Sequence, residues 1–205
     1  LFKACELVLE ISNGKIDSPL LDVFPKKETD FKNFLLKDVD IEEALKVLKK
    51  KKNKSIRLIH HNEDKILKKF LKKLPNVIAG GGKVYNKNKD ILYIFRNNKW
   101  DLPKGKIEKK EVIVEAAVRE VLEETGAADL VVKKTLPITY HIYNANGRYK
   151  VKKTYWFLMK TSFNGPLNPQ VEEHIEKAEW KTKAEIPKLM ENAYENIKLV
   201  IDKII

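Results

Sequence analysis

The segment from Glu111 to Gly126 constrains the fold most, because it combines a helical apolar repeat with a line of acids. Apolar side chains recur at spacings of three and four residues, the period of one helix face. They are Val114, Ala117, Val118, Val121 and Leu122. A glycine such as Gly126 commonly ends a helix. The sequence therefore predicts a helix over 111–125 whose apolar face packs on a sheet.

Three glutamates cluster near the end of this helix. Glu120 lies three and four residues before Glu123 and Glu124, and residues at these spacings are neighbours on a helix surface. Like charges so placed repel, and the helix dipole disfavours anions at a C-terminal end. One interpretation is a solvated acidic face. The other is a divalent-cation site, because hard oxygen ligands suit Mg²⁺.

The residues ahead of the helix favour the cation site. Gly105 lies in a short PKGK loop, where a residue without a side chain allows the backbone to approach a ligand closely. Arg96, Lys104 and Lys106 offer cationic groups to phosphate oxygens. Together with the three acids, they indicate a site for a metal ion and a phosphorylated small molecule.

The glycine loop and the helix together resemble a known family. The chain has Gly105, then Glu111 after five residues, then REVLEETGA from Arg119 to Ala127 after seven more. This pattern resembles the Nudix box, and every fixed position of the box is filled. The resemblance extends over residues 77–205 and implies an α/β fold, an α/β/α sandwich around a mixed sheet. It also implies hydrolysis of a phosphoanhydride bond with Mg²⁺ as cofactor, or Mn²⁺ in its place.

The resemblance assigns metal ligands residue by residue. Glu120 and Glu124 are similar to the principal magnesium ligands of the family, and Glu123 is similar to a further one. The backbone carbonyl of Lys104, just before the box glycine, resembles another ligand. We therefore expect these groups to meet around one ion.

Other residues are expected to support the ligands or the attacking water. Arg119 and Glu111 resemble the pair that orients the catalytic glutamates and fastens the loop to the helix. A general base outside the box is expected in the loop before the last strand. Glu172 and Glu173 are the candidates there, with His174 beside them; an ordinary solvated pair is the alternative.

The substrate class is left open by the residues. The LPKGK loop and a lysine-rich strand resemble the branch of the family that acts on dinucleoside polyphosphates and diphosphoinositol polyphosphates. Tyr155 on that strand is a further candidate for substrate binding. Oxidised nucleotides and the 5′-pyrophosphate of RNA are alternatives, as is a non-catalytic regulator that binds nucleic acid or protein.

Composition divides the chain into two parts. Residues 1–76 are predicted to form a small basic αβ domain, in which residues 46–75 hold eleven lysines and one arginine against two acids. Residues 77–205 are predicted to form the Nudix domain. We expect the first domain to lack interleaved exposed aromatic residues suited to base stacking. Its role is left open between a homodimer interface, a cover over the substrate cleft and a contact to nucleic acid.

Alternation and turn residues predict the elements of the second part. Asn146-Gly147 is typical of a two-residue hairpin turn, and a closing helix is expected from about Lys183. Strands are expected over 77–85, 90–96, 130–134, 138–143, 149–160 and 175–181.

Charge and cysteine content limit the partners and the compartment. The formal net charge of +12 favours anionic partners without choosing among them. Cys5 is the single cysteine, so no internal disulfide can form and a reducing compartment is expected. No apolar run reaches the length needed to cross a bilayer. These features predict a cytoplasmic protein with no membrane partner.

Overall fold

The computed structural model describes residues 5–12, 15–20, 32–48, 55–60 and 63–202. They form two compact units. One contains the described residues up to Val77 together with Tyr140–Lys152, and the other contains Ile78–Thr139 and the described residues from Lys153 onward. No helix among these residues is long and apolar enough to cross a membrane.

The first unit contains a four-stranded sheet with the strand order β2-β1-β4-β3. Strand β1 runs antiparallel to β2 and β4, whereas β3 is parallel to β4. The Asp40 carboxylate accepts the backbone N–H of Glu42 at 2.9 Å and caps α1. The bounds are β1 Cys5–Ser12, β2 Lys15–Leu20, β3 Lys32–Leu35, α1 Ile41–Leu48, β4 Ser55–His60 and α2 Glu63–Leu71.

A hairpin tip from the later part of the chain completes the core of this unit. Ile142, Tyr149 and Val151 are buried in one apolar cluster with residues such as Leu45 and Phe70. The division of the sequence at residue 76 assigns the hairpin to the second part, but its apolar face packs here. An apolar strand face has to be covered, and composition along the chain does not reveal which helices cover it.

The second unit is built on a seven-stranded mixed sheet. Its path is β11-β6-β5-β10-β9, with β7 paired to β6 and β8 paired to β5. The strands are β5 Asn76–Tyr85, β6 Ile91–Arg96, β7 Lys99–Asp101, β8 Lys104–Lys106, β9 Val131–Ala145, β10 Arg148–Lys160 and β11 Ile175–Lys181. The helices are α3 Ile113–Thr125, α4 Ile186–Glu191 and α5 Glu195–Asp202, with a 3₁₀ turn at Val171–Glu173.

Helices cover both faces of this sheet. Leu92 packs in a cluster with Ala117 and Val121 of α3. Its neighbour Tyr93 packs in a different cluster with Ile197 of α5. Successive residues of a strand point to opposite faces, so the two clusters are the two sides of an α/β/α sandwich. The predicted fold class is confirmed for this unit.

The helix that carries the acids differs from its prediction in two respects. It begins at Ile113, so that Glu111 lies in the loop before it. Leu122 was expected on the apolar face but is 47% exposed, whereas Glu120 and Glu124 are buried. The last turns of the helix therefore face the loop at 102–106 with their carboxylates. Apolar periodicity could not show this, because it assumes that acids point to water.

Two further elements differ from the sequence prediction. The strands expected at 130–134 and 138–143 are one strand, β9, which continues through Pro137. The closing helix is divided into α4 and α5, because the chain bends at Asn192 and Ala193 forms an isolated bridge with Trp100.

Candidate active site

Glu120 lies directly against the glycine loop. A Cβ built on Gly105 would fall 1.8 Å from Oε2 of Glu120, so no larger residue fits with the carboxylate in place. Gly105 belongs to β8 and is held opposite Gly80 of β5. Oε1 of Glu120 accepts a hydrogen bond from Nη1 of Arg119 at 2.8 Å. The glycine thus allows a buried carboxylate to lie on the loop backbone.

Glu124, one helical turn further on, is completely buried. Its Oε2 accepts the backbone N–H of Lys104 at 2.7 Å. Its Oε1 lies 3.3 Å from Nη1 of Arg96. The loop and strand β6 therefore fix this carboxylate from two sides.

Burial raises the pKa of both carboxylates, although each has a basic partner. It raises the pKa of Glu120, although the Arg119 guanidinium opposes the shift. It raises the pKa of Glu124 to about 7, although Arg96 and Lys104 oppose it. Because the neighbouring cations do not offset the loss of hydration, an additional cation at this place would stabilise the ionised forms.

Arg119, in the middle of α3, fastens this helix to the loop that precedes it. Its Nε and Nη2 donate to the two carboxylate oxygens of Glu111 at 2.7 and 2.9 Å, and Nη2 also donates to the carbonyl of Lys106 at 3.1 Å. Nη1 also donates to Glu123 at 2.7 Å. The paired guanidinium lowers the pKa of Glu111 to about 2. Arg119 and Glu111 thus connect the helix to the loop before it, and their role in orienting the other glutamates stays a prediction.

A buried aspartate that sequence analysis did not identify supports the loop. Asp101 is 2% exposed; its carboxylate pairs with the Lys104 ammonium and lies 3.5 Å from Nη2 of Arg96. Burial raises the pKa of Asp101, but the two cations lower it further than burial raises it. The only signal in the sequence is its place between Trp100 and Leu102 in the loop.

The Lys104 side chain, predicted to meet phosphate, lies inside the protein. Lys104 is 6% exposed and its ammonium pairs with Asp101. Its contribution to the acidic site in this structure is the backbone N–H that binds Glu124. The Lys106 side chain is exposed beside the same loop, whereas Tyr155 packs against the apolar cluster around α3.

The structure separates the two candidate bases. Glu173 ends the 3₁₀ turn and is half-exposed, and its Oε2 lies 3.8 Å from Nη1 of Arg96. His174 follows in a left-handed conformation at φ 60°. Glu172 is exposed and forms no ion pair with any described residue. Arg96 therefore links Glu173, and not Glu172, to the buried Glu124.

The arrangement fits a cation whose coordination is completed by substrate. Within the ranges that the structure describes, no three His, Cys, Asp or Glu side chains gather closely enough to hold an ion alone. Arg119 holds Glu120 and Glu123, and Glu123 is 45% exposed at its side chain. Mg²⁺ is usually bound by one or two carboxylates, with waters and phosphate oxygens as the remaining ligands. Glu120 and Glu124 are two buried carboxylates that could hold an ion in this way.

Comparison with known proteins agrees with this geometry. Residues 75–201, more than half of the chain, match the family model described as the NUDIX domain. An RNA pyrophosphohydrolase of Wolbachia sp. subsp. Brugia malayi is 36% identical over 91 residues, which cover 40% of this chain and 56% of that protein. Another from Wolbachia pipientis subsp. Culex pipiens is 32% identical over 110 residues, 48% of this chain and 68% of that protein.

Among solved structures, the MutT protein of Methanosarcina mazei Go1 superposes with a TM-score of 0.50. The superposition covers 64% of this chain and 94% of that one at 20% sequence identity, which shows a common fold. The chain spans little more than half the length of the first of the Wolbachia relatives. With the family model, the box residues and the sandwich in agreement, the chain belongs to the Nudix hydrolase family.

Proposed function

We propose that this protein hydrolyses a phosphoanhydride bond in a nucleoside-linked or polyphosphate substrate with the help of Mg²⁺ or Mn²⁺. The observation that supports the proposal is the pair of carboxylates, Glu120 and Glu124, buried one turn apart against the Gly105 loop. Their pKa values are raised by burial. Arg119, Arg96 and the Lys104 N–H compensate the burial of these two acids only in part, and such incomplete compensation destabilises a fold. Ion binding is the function that explains the arrangement.

Each residue of the site has a separate proposed role in the reaction. Glu120 and Glu124 would hold the metal ion. Arg119 and Glu111 would fix the position of these glutamates relative to the loop. The chemistry that a bound divalent ion supplies is neutralisation of phosphate charge and acidification of a water molecule. The exposed Lys106 side chain is available to pair with a phosphate oxygen beside the loop.

Glu173 is proposed as the general base. Its carboxylate is half-exposed and hence accessible to water, and Arg96 holds it at 3.8 Å. A base has to lie within hydrogen-bond reach of the water proton that it removes. A carboxylate on the rim of the acidic site satisfies this requirement better than Glu172, which the structure leaves in solvent.

The substrate proposed first is the 5′-pyrophosphate end of RNA. The two Wolbachia relatives carry the name RNA pyrophosphohydrolase, and the formal charge of +12 suits a polyanion. Dinucleoside polyphosphates and diphosphoinositol polyphosphates are the second candidates, supported by the LPKGK loop. Hydrolysis of the first class would release pyrophosphate or phosphate from the RNA end, and hydrolysis of the second would release a nucleotide or inorganic phosphate.

The proposal is tested by a turnover screen with Mg²⁺ on 5′-triphosphorylated RNA, dinucleoside polyphosphates, inositol pyrophosphates, nucleotide sugars and nucleoside triphosphates. Glu120→Gln and Glu124→Gln should each abolish turnover while the melting temperature stays close to that of the wild type. Glu115→Gln, an exposed glutamate of the same helix, is the matched control and should retain activity. Undiminished turnover in both site variants would refute the assignment.

A further inference from the structure

The hairpin that packs into the first unit has two faces of different character. Ile142, Tyr149 and Val151 point into the apolar core. The residues that alternate with them point the other way, since side chains alternate along a strand. They are exposed or half-exposed, and we call them the outer face: His141, Tyr143, Arg148, Lys150 and Lys152.

Two rings lie nearly parallel on this outer face. The centroids of His141 and Tyr143 are 6.2 Å apart and their planes differ by 13°. The Lys152 ammonium lies 5.8 Å from the centre of the Tyr143 ring. Parallel rings held on a rigid strand, with a cation across from them, are the arrangement by which proteins stack unpaired bases and hold the adjoining phosphates.

The charge of the outer face is uniformly positive. Residues 140–152 contain three basic residues, Arg148, Lys150 and Lys152, and no aspartate or glutamate. The hairpin segment itself therefore carries a net positive charge. In residues 63–73 the aromatic residue among the lysines, Phe70, is buried, whereas the hairpin brings half-exposed rings to this unit.

We propose that the outer face binds single-stranded nucleic acid, with Tyr143 and His141 stacking on bases and Arg148, Lys150 and Lys152 pairing with phosphates. A duplex keeps its base faces covered, so flat rings favour a single strand over a duplex. An acidic peptide or an anionic membrane surface would use the cations but has no planar group for the two rings. The inference does not depend on the proposed hydrolysis, because binding requires no pyrophosphate.

The experiment measures fluorescence anisotropy of a labelled 20-nucleotide single-stranded RNA with a 5′-hydroxyl end, titrated with the full chain at several salt concentrations. Tyr143→Ala should weaken binding roughly 5- to 100-fold, as expected for loss of one base stack. Tyr143→Phe keeps the ring and should bind like the wild type. Lys150→Ala should weaken binding and lower the salt slope by about 0.7, the value for one phosphate contact on a single strand.

Matched controls separate this site from general charge attraction. Lys134→Ala removes an exposed lysine of β9 outside the outer face and should leave affinity unchanged. A DNA oligonucleotide of the same sequence distinguishes RNA from single strands in general, and either result supports the site. Three outcomes would overturn the proposal: equal losses in Lys134→Ala and Lys150→Ala, wild-type affinity in Tyr143→Ala, or tighter binding of the RNA duplex or of phosphatidylserine vesicles than of the single strand.

Discussion

Replacement of Gly105 by alanine should impair activity more strongly than it impairs folding. The added Cβ would lie 1.8 Å from Oε2, 2.0 Å from Cδ and 2.4 Å from Oε1 of Glu120. Nonbonded carbon atoms are comfortable only at about 3.5–4 Å, so the carboxylate has to retreat by more than about 1 Å. Gly105→Ala therefore moves the proposed ligand Glu120 without removing its carboxylate.

The expected magnitudes follow from what moves. The clash involves the end of a flexible side chain, so the stability cost falls within the range for overpacking, about 1–3 kcal/mol. A displacement of about 1 Å in a catalytic site can lower the rate about 100-fold. We therefore expect kcat/KM to fall about 100-fold, and the Mg²⁺ concentration for half-maximal activity to rise.

The assay is a thermodynamic and kinetic double-mutant cycle with Glu120→Ala. Once the carboxylate is absent, the three atoms nearest to the added Cβ are gone. In the Glu120→Ala background, Gly105→Ala should therefore cost less stability than it does in the wild type, and it should cause no further loss of activity. Contacting residues show coupling of about 0.5–3 kcal/mol. Wild-type Mg²⁺ dependence in Gly105→Ala, or additive unfolding free energies in the cycle, would contradict the reasoning.

Three other predictions test the remaining parts of the site. Glu173→Gln should lower kcat about 10²–10⁴-fold, whereas Glu172→Gln should change it little, and equal effects would exclude Glu173 as the specific base. Lys110 has φ 71°, so Lys110→Gly should raise the unfolding free energy by about 0.5–1 kcal/mol, whereas Lys109→Gly, a neighbour without positive φ, should lower it. The pKa of Glu111 is lowered to about 2 in the folded protein, so its stabilising contribution is complete above its ordinary pKa and is lost as the pH falls through 2. Acid unfolding curves that coincide for the wild type and Glu111→Gln would contradict this.

The residues that sequence reasoning found are those whose geometry is local. Glu120, Glu124 and Arg119 share one helix, so their spacing already places them together, and Gly105 and Glu111 enter through the same short motif. The strands of the second unit were found because alternation and turn residues are also local signals. The mixed sheet is predicted because strands and helices do not strictly alternate. The α/β/α arrangement is implied by the resemblance to the Nudix family.

The residues that it missed or placed incorrectly depend on contacts between distant segments. Asp101 is informative only when Arg96 and Lys104 are seen to pair with it in the interior. Leu122 continues an apolar stripe and is therefore predicted to be buried. In the structure Glu120 and Glu124 are buried against the loop, and Leu122 is exposed. The packing of the hairpin tip likewise depends on which helices cover it, and no property of its own sequence identifies them.

The pKa directions divide four acids of the site into two pairs. Glu111 and Asp101 have direct basic partners, and the pKa of each is lowered. Glu120 and Glu124 have basic partners too, yet the pKa of each is raised because burial outweighs them. Arginine and lysine therefore stabilise the ionised form of the first two acids. Ionisation of the second two remains less favourable than in water, and a further cation would favour it. Mg²⁺ should consequently protect the protein against thermal unfolding more strongly at pH 8 than at pH 5, because only ionised Glu124 binds it well; equal protection at both pH values would separate the ion from these carboxylates.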